Sequence, residues 1–515
     1  DLSGLPAQDR AAELARVLAE EATRPFDLRR GPLLRMRLVT LADDEHVLTM
    51  MLHHIVTDGW STGVITSELT ALYSAALHGE VADLPALPVQ YADFAVWQRD
   101  RLSGAALAEQ LGYWKRHLSG VAPLELPTDR PRPAVRTSAG AVHEFVVPGE
   151  LTARLKELGR LKELGRFKEL GQQQDGTLFM TLVAACQVLF ARWSGQDDIA
   201  VGTVVSGRER AELEGLVGFF VNTLVLRSTV DGSRSFGQFL SEVREMVLDA
   251  FAHEVPFEKL VDELKPARDT SRNPLFDVMV LLQNTPIQSS DLPGLEVEDL
   301  ELPVVTANCD ITVEFQENAG VLDGVLEYNT DLFDAATAAR ITEHLLVLLD
   351  GIAADPARPI AELPLLTEGE RYQLLVKWND TELAVPAATF PEVFQSQVTR
   401  TPGTTALVFK DSALSFAELN EQANRLAHHL IRLGVGPERV VALALPRCAE
   451  MIVAMLAVLK SGGVYLPVDP ALPDERIEFV LRDAVPILIV TTSDSEPVDS
   501  VLTVDVGRLI LDHPD

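Results

Sequence analysis

The spacing of apolar residues along the chain predicts alternating helices and strands. Residues 8–24 carry apolar side chains at helical intervals, whereas residues 33–41 tend to alternate between apolar and polar side chains, as a strand does. The run 46–52 is nearly all apolar, which is typical of a strand buried on both faces. Residues 60–77 return to helical spacing. The pair His53-His54 is therefore predicted to lie in a strand-to-helix loop, where side chains are exposed but firmly held.

The same alternation continues through the rest of the chain and predicts an α/β fold. The predicted helices are 177–194, 236–250 and 335–353, and the predicted strands are 199–205, 224–227, 278–282 and 321–328. Prolines interrupt residues 119–140, which we interpret as a link between two lobes. The polar stretch 368–388 is interpreted as a second linker, and a new α/β segment begins near Phe390.

A hexapeptide is repeated three times over residues 154–171, with Arg-Leu-Lys-Glu-Leu-Gly as its first copy. Six residues advance a helix by about 600°, so the apolar stripe turns away from a single core face. Each glycine also costs about 0.8–1.0 kcal/mol inside a helix. We expect the extra copies to lengthen or loop out the helix.

Length and charge narrow the possible functions. A chain of 515 residues is long enough for roughly three folded units. Its net charge of −32 repels phosphate backbones, so nucleic acid is not an expected partner. No run of 18 apolar residues is present, and no membrane span is predicted. The chain starts at Asp1 with neither a methionine nor a signal peptide, so we expect its N-terminus to be cut.

The three cysteines, Cys186, Cys309 and Cys448, are widely separated and odd in number. We interpret them as small buried side chains in a reducing cytoplasm rather than as a disulfide or a metal site.

The segment His53 to Gly59 carries the candidate chemistry. A histidine can accept a proton near neutral pH, and Asp58 can fix the loop by pairing with a cation or with backbone donors. Gly59 allows a conformation and a close approach that a side chain would obstruct. A metal site lacks a third ligand nearby, while a structural histidine pair is a serious alternative. His428-His429, with no Asp-Gly after it, is interpreted as such a pair.

The wider context of this segment resembles the condensation domains of nonribosomal peptide synthetases. The motif stands here as Met51-Leu52-His53-His54-Ile55-Val56-Thr57-Asp58-Gly59-Trp60-Ser61, after Pro25-Phe26-Asp27-Leu28 and Gly31-Pro32-Leu33-Leu34-Arg35. Four further motifs follow in the family's order: Tyr91-Ala92-Asp93-Phe94-Ala95-Val96-Trp97, Gly218-Phe219-Phe220-Val221-Asn222-Thr223, His253-Glu254-Val255-Pro256-Phe257-Glu258, and Arg268-Asp269-Thr270-Ser271-Arg272-Asn273-Pro274-Leu275-Phe276.

The resemblance implies two lobes in a V, each similar to chloramphenicol acetyltransferase, with a tunnel between them. Upstream and downstream peptidyl carrier proteins would present a donor thioester and an acceptor amine on phosphopantetheine arms, and no directly bound cofactor or metal is implied. His54 takes the catalytic position, with His53 beside it, Asp58 organising the site and the Gly59 amide near the oxyanion. The residues implied at the tunnel or lobe interface are Trp60, Ser61, Trp97, Phe219, Asn222 and Arg268. Taken singly, Trp97, Phe219 and Phe276 are better interpreted as core residues.

The chemistry of amines limits what His54 must do. An α-amine has a pKa of about 7.7–8.0, so part of it is already neutral at working pH. Holding the reactants can supply about 7–11 kcal/mol, and acid–base help typically about 10²–10⁴-fold. We expect His54 to position the amine and to accept the proton of the adduct.

The flanking Trp60-Ser61 and the 219–223 segment resemble domains that join two L-configured partners. An epimerization domain, which shares the histidines and the Asp-Gly, is the nearest alternative. A heterocyclization domain would carry acidic residues in place of the histidines.

The end of the chain resembles a second family, the amino-acid adenylation domains. The matching segments are 414–420 and 459–470, of which the second reads Leu-Lys-Ser-Gly-Gly-Val-Tyr-Leu-Pro-Val-Asp-Pro. The family's phosphate-binding loop is not among these residues, so we expect this part to be inactive in adenylation and to need the rest of that domain.

The resulting division is 1–125 and 126–360 for the two lobes, 361–386 for a linker and 387–515 for the adenylation part. A catalytically silent fragment is the remaining alternative, because the arginine expected to pair with Asp58 should precede residue 1, and an unpaired buried charge is costly. The missing elements would also expose a strand edge.

Overall fold

The computed structural model describes residues 1–160, 175–283, 292–298, 300, 306–385, 387–492 and 502–506. The chain forms two compact units, Asp1–Asp380 and Thr381–Asp515. In the first unit the helices are α1 (Ala7–Thr23), α2 (Gly59–His78), α3 (Tyr91–Arg101), α4 (Gly104–His117), α5 (Gly149–Arg160), α6 (Asp175–Ser194), α7 (Phe236–Ala252), α8 (Phe257–Leu264), α9 (Ala335–Ala354) and α10 (Glu368–Leu375). The strands are β1 (Leu34–Thr40), β2 (His46–Leu52), β3 (Gly140–Val147), β4 (Asp198–Val205), β5 (Asn222–Thr229), β6 (Val278–Gln283), β7 (Ile311–Asn318) and β8 (Val321–Asn329).

Strands β1 and β2 form an antiparallel pair that leads into the histidine segment, with Leu34 opposite Leu52. Helix α1 packs on one face of this pair through Val17, Val39 and Leu41. The prediction that 46–52 is buried on both faces is wrong, because within the described residues Leu38 and Leu48 on the opposite face are 64% and 47% exposed. An apolar run shows that a strand is hydrophobic, but it does not determine whether other elements pack on both of its faces.

The main core of the first unit surrounds a six-stranded mixed sheet in the order β3-β8-β7-β6-β4-β5. Strands β4 and β5 pair antiparallel over their full length, so that Val205 lies opposite Asn222. Helices α6, α7 and α9 bury apolar faces against this sheet, as their helical spacing predicts. Gly202 in β4 is required by packing, because a Cβ there would lie 2.4 Å from the ring of Phe276.

Several predictions can be compared directly with these elements. The predicted helices at 8–24, 60–77, 177–194, 236–250 and 335–353 are confirmed to within two residues at either end. Cys186 and Cys309 are buried as expected, and burial raises the pKa of both thiols to about 12. Cys448 is only half-buried, so the expectation of burial is wrong for that residue. Trp114 in α4 and Leu118 just after it already belong to the main core. Packing against the six-stranded sheet therefore begins before residue 126, the predicted start of the second lobe.

Helix α5 contains the first copy of the hexapeptide repeat. The copies beyond residue 160 lie outside the described residues, and so does the predicted lengthening or looping out of the helix.

Among its described residues, the second unit has its own core and two sheets. Its helices are α11 (Phe390–Arg400), α12 (Phe416–Arg432), α13 (Ala449–Lys460) and α14 (Asp474–Ala484), and its strands are β9 (Thr405–Phe409), β10 (Ser412–Ser415), β11 (Val440–Leu443), β12 (Val464–Pro467), β13 (Leu488–Thr491) and β14 (Leu502–Asp505). The parallel sheet has the order β12-β11-β13-β14, and Leu426, Leu430, Val441 and Leu488 pack in its core. Across the described residues of both units, no helix is long and apolar enough to cross a membrane.

Candidate functional site

The histidine segment forms a tight connection between β2 and α2. The N–H of His53 donates to Leu33 O at 3.0 Å, which extends the β1–β2 pairing by one residue. A single 3-10 turn over His54–Val56 follows. Asp58 then caps α2, because its carboxylate accepts the N–H of Ser61 at 2.8 Å. The segment is therefore fixed at one end by a backbone–backbone hydrogen bond and at the other by a bond from a backbone N–H to the Asp58 carboxylate.

His54 is exposed at the first position of the turn, and one of its ring nitrogens has an assigned role. Nδ1 lies 2.7 Å from Thr57 O. A carbonyl oxygen can only accept, so Nδ1 must carry a proton and donate it. In neutral His54 the remaining nitrogen, Nε2, then has a free lone pair. The ring is also held edge-to-face against Phe219, with 5.2 Å between ring centroids. The arrangement leaves Nε2 as a proton acceptor with a fixed direction.

His53 is held in a different way from His54. Its Nδ1 accepts the N–H of Ile55 at 3.0 Å, so this nitrogen carries no proton. Its ring packs edge-to-face on Phe26 at 5.8 Å. Nδ1 of His53 is therefore a hydrogen-bond acceptor, whereas Nδ1 of His54 is a donor, and the two rings pack on different phenylalanines.

Asp58 lies at the centre of a buried polar network. The residue is only 2% exposed, and Oδ1 accepts hydrogen bonds from the Ser61 hydroxyl at 2.7 Å and from Arg208 at 3.1 Å. Oδ2 accepts the N–H of Phe220 at 3.1 Å. The Ser61 hydroxyl, itself fully buried, also accepts the N–H of Gly218 at 3.1 Å. These bonds join the histidine loop to the segment 206–221, which connects β4 to β5.

Arg208 supplies the positive charge in this network. Its Nη2 reaches both Asp58 oxygens, at 3.1 and 3.3 Å, while Nη1 donates to Leu213 O and Leu216 O at 2.5 and 2.9 Å. Its guanidinium also lies 4.0 Å from the Phe220 ring centroid. Burial lowers the pKa of Arg208, and Asp58 acts in the opposite direction. A planar fork of donors can satisfy a carboxylate and two carbonyls at once.

This pairing corrects the expectation that Asp58 lacks its cation. The sequence reasoning placed the partner arginine before residue 1, whereas Arg208, 150 positions farther along the chain, makes the ion pair. The reason is topological, since the β4–β5 connection returns to the N-terminal elements. Asp58 is therefore a paired buried charge, and this ion pair helps to hold the histidine loop.

The interpretation of Gly59 is also corrected. Gly59 is the first residue of α2 and has no positive φ, so its backbone does not require glycine. A Cβ there would meet nothing within 4 Å. Within the part of the chain that the structure describes, its N–H makes no hydrogen bond. The feature at Gly59 is therefore open space beside a free amide at the positive end of a helix dipole.

Side chains from α2 and α3 hold the segment 206–221 against the histidine loop. Trp60 Nε1 donates to Glu214 O at 2.9 Å, and the Tyr91 hydroxyl donates to Phe219 O at 2.6 Å. Burial, with a smaller contribution from Asp58, raises the pKa of Tyr91. Phe219 is half-buried against His54 rather than in the core, so its interpretation as a core residue is wrong. Tyr91 thus fixes the backbone of the residue that packs on His54.

Asn222 organises the turn that precedes α8. Its side chain donates to Glu254 Oε1 at 3.0 Å and to Val255 O at 2.9 Å, and it accepts the N–H of Phe257 at 3.1 Å. Burial raises the pKa of Glu254, while the bond from Asn222 opposes the rise. Asn222 therefore connects two of the sequence motifs directly.

The remaining predicted residues are Trp97, Phe276 and Arg268. Trp97 is half-buried beside Phe94, with the guanidinium groups of Arg101 and Arg210 at 5.2 and 5.0 Å from its ring. Phe276 is a core residue, as interpreted. Arg268 is exposed.

Sequence reasoning missed Arg208 and the acceptor role of Thr57 O. Arg208 stands three residues after the end of β4, and its burial depends on the distant Asp58 that it pairs with. Thr57 O is a backbone atom and leaves no trace in residue identity.

Comparison with known families gives two matches along the chain. The family described as "Condensation domain" matches residues 1–375, and "AMP-binding enzyme" matches residues 394–514. Among curated proteins, chondramide synthase cmdD of Chondromyces crocatus is 44% identical over 95% of this chain and 12% of its own length. Phosphinothricin tripeptide synthetase PhsC of Streptomyces viridochromogenes is 42% identical over 95% of this chain and 44% of its own length. The linear gramicidin synthase of Brevibacillus parabrevis is up to 45% identical, and this chain spans about a tenth of the length of the matching polypeptides.

Solved structures agree with these matches. A four-domain nonribosomal peptide synthetase, holo-AB3403 bound to AMP and glycine, has a TM-score of 0.77 and 26% identity, covering 97% of this chain and 38% of the other. The X-domain from teicoplanin biosynthesis in complex with OxyB has a TM-score of 0.62 and 28% identity, covering 69% of this chain and 78% of the other. The predicted α/β class, a condensation fold followed by part of an adenylation fold, is confirmed.

Proposed function

The chain belongs to the condensation-domain family of nonribosomal peptide synthetases, followed by the start of an AMP-binding domain, and on this premise we propose that residues 1–360 form a peptide bond between two carrier-bound substrates. Condensation domains are acyltransferases that form peptide bonds. The proposal for this chain is attack by an aminoacyl amine, held on a downstream carrier protein, on a peptidyl or aminoacyl thioester held on an upstream one.

The observation that carries the proposal is the state of His54. Its Nδ1–H is used by Thr57 O, so that Nε2 is the free basic atom of an exposed side chain. Phe219 restricts the ring from one side at 5.2 Å. A base whose direction is fixed before substrate arrives loses little freedom during reaction, and this is the larger part of what such a site can contribute.

In the proposed reaction the acceptor nitrogen attacks the thioester carbon and forms a C–N bond. The tetrahedral adduct carries an ammonium nitrogen and an oxyanion. His54 Nε2 takes the proton from that nitrogen, the oxyanion collapses, and the C–S bond breaks. The proton then passes to the departing thiolate of the donor's phosphopantetheine arm, so that His54 is regenerated. No acyl group is ever attached to the protein.

The developing oxyanion needs donors, and the first turn of α2 supports that role. The Gly59 N–H is free within the described residues, and open space lies beside it. An amide at a helix N-terminus stabilises negative charge without reorganising. Asp58 uses both oxygens within the protein, so we assign it to holding the loop rather than to the chemistry.

We further propose that donor and acceptor are both L-configured. The support is the resemblance carried by Trp60-Ser61 and by residues 219–223, which lie beside the loop. The epimerization alternative remains, because the same base could remove an α-proton. A silent docking role also remains a candidate, since a related fold occurs in a complex of the X-domain with OxyB.

Residues 387–515 are proposed not to activate an amino acid by themselves. The Ser/Thr/Gly-rich loop with a lysine that holds ATP phosphates in the adenylation family is not among these residues. ATP–pyrophosphate exchange above background in this chain would contradict that proposal.

The function is tested with loaded carriers. Donor carriers bearing a panel of L-aminoacyl groups are mixed with L-aminoacyl acceptor carriers and the chain, and the acceptor thioesters are analysed for dipeptidyl product and for configuration. Dipeptidyl product that depends on the chain supports the proposal, and faster product from L- than from D-loaded donors supports the assignment of configuration. Inversion of the loaded residue without bond formation would favour epimerization, and no reaction across the panel would favour a silent role.

A further inference from the structure

Phe26 lies between Arg35 and His53 and joins two lead-in motifs to the histidine loop. The Arg35 guanidinium carbon is 3.8 Å from the centroid of the Phe26 ring. The Phe26 ring also contacts the His53 ring edge-to-face, with 5.8 Å between ring centroids and 89° between ring planes. Both geometries are attractive, the first between a cation and a ring and the second between two rings. A continuous line of contact therefore runs from Arg35 to the loop.

Arg35 is itself held in place by the end of α1. Its guanidinium donates to Arg24 O at 2.7 Å, Pro25 O at 3.2 Å and Glu21 O at 3.3 Å. It also pairs with the buried carboxylate of Glu21 at 3.6 Å, and its side chain is only 16% exposed. Cations are favourable at a helix C-terminus, where carbonyl groups lack intrahelical partners. The cation that faces Phe26 is thus fixed by several bonds to one helix end.

His53 passes this constraint on to the catalytic turn. Its Nδ1 accepts the Ile55 N–H at 3.0 Å, and its carbonyl accepts the Val56 N–H at 3.0 Å. These bonds close the 3-10 turn whose first residue is His54. If the His53 ring rotates, the Ile55 N–H loses its acceptor and the turn loses one of its closing bonds.

We propose that Phe26 and Arg35 are positioning residues for the condensation reaction, acting through His53 to set the direction in which His54 is presented. The inference rests on the proposed function and adds to it a support that touches neither substrate nor reacting atoms. A role in packing alone would lower stability without changing turnover by the folded protein.

The experiment compares Phe26→Ala, Phe26→Leu and Phe26→Tyr in the full chain. For each variant, kcat and the acceptor KM are measured with loaded carriers, and hydrogen exchange is followed in the peptide that contains Ile55. Phe479→Ala is the matched control, because Phe479 also lies under an arginine, Arg476 at 5.3 Å, but belongs to the second unit.

We expect Phe26→Ala and Phe26→Leu to lower kcat between about tenfold and a hundredfold, the range for a displaced catalytic group, with the acceptor KM unchanged. The Ile55 amide should exchange faster in both variants. Phe26→Tyr keeps the ring and should keep wild-type kcat and exchange, as should Phe479→Ala. Phe26→Leu preserves most of the volume, so it reports on the ring contacts even if Phe26→Ala folds poorly.

Two results would overturn the inference. One is a kcat within about twofold of wild type in folded Phe26→Leu. The other is a lower kcat with unchanged exchange at Ile55, since the effect would then bypass His53. Failure of the proposed function is separate, because it would appear as no chain-dependent dipeptidyl product with the wild-type protein, whereas exchange at Ile55 reports on the support whether or not product forms.

Discussion

Replacing Arg208 with methionine tests whether the buried ion pair holds the histidine loop. Met is similar in length and apolar, so the substitution removes charge and donors while keeping most of the volume. Asp58, 2% exposed, would keep the Ser61 N–H, the Ser61 hydroxyl and the Phe220 N–H but lose its only cation within the described residues. The carbonyls of Leu213 and Leu216 would each lose the hydrogen bond from Arg208 as well, although Leu213 O keeps the N–H of Leu216.

The expected loss in the free energy of unfolding is about 3–5 kcal/mol, the cost of leaving one member of a buried pair alone. The loss should not exceed that range, because Asp58 keeps three hydrogen-bond donors in the variant. Asp58→Asn should also be costly, because it leaves Arg208 buried without its counter-charge. Since the two residues interact directly, Asp58→Asn combined with Arg208→Met should cost less than the sum of the single changes, by about 0.5–3 kcal/mol.

Tryptophan fluorescence during urea unfolding reports on the first unit, which contains Asp58 and Arg208. All five tryptophans, at positions 60, 97, 114, 193 and 378, lie within Asp1–Asp380. Arg210→Met is the matched control, because Arg210 is exposed and stacks on Trp97, and such a contact is worth about 0.5–1 kcal/mol.

A loss below about 1 kcal/mol in Arg208→Met would equal that of a surface ion pair and would refute the reasoning. Additive single changes would refute it too, since they would mean that Asp58 and Arg208 act independently.

Three further predictions follow from other contacts. Tyr91→Phe removes the 2.6 Å bond to Phe219 O and should cost about 0.5–1.5 kcal/mol in urea unfolding, with slower condensation at unchanged acceptor KM; an unchanged rate would show that Phe219 needs no such support. Glu254→Gln should stabilise the protein near neutral pH. Burial raises the pKa of Glu254, so the folded state binds the proton of this carboxyl group more tightly than the unfolded state does. The wild-type protein therefore loses stability as the pH rises above about 4.5 and Glu254 loses its proton, whereas the glutamine variant does not. The difference between the two proteins should shrink toward pH 4.5 in unfolding curves, and a constant difference would contradict the assignment. Gly202→Ala should cost about 1–3 kcal/mol because its Cβ meets Phe276 at 2.4 Å, whereas Gly63→Ala in α2 meets open space and should be neutral or stabilising; equal effects in unfolding curves would contradict the packing argument.

Local pattern predicted the elements around the site well. The apolar spacing of 60–77 and the Asp-Gly before it place the start of α2 within one residue of Gly59. The reason is that helical periodicity and an N-capping side chain are both encoded within a few positions.

The long-range parts of the site could not be read from the chain in the same way. Arg208 is 150 residues from Asp58, and its approach depends on how β4 and β5 pair. The prediction that β2 is buried on both faces was wrong, because burial depends on which elements pack against a strand, and the apolar residues of the strand alone do not determine this. The proton on His54 Nδ1 depends on a backbone carbonyl, which every residue has.

The central claim is that Nε2 of His54 accepts the proton of the adduct. Its most direct test is single-turnover formation of dipeptidyl thioester by His54→Ala, with His428→Ala as control, since His428 is an exposed histidine on α12 in the other unit. The account predicts a rate at least about tenfold below wild type for His54→Ala, consistent with loss of acid–base help and positioning, and a wild-type rate for His428→Ala. A loss of less than about tenfold in folded His54→Ala would remove His54 from the chemistry.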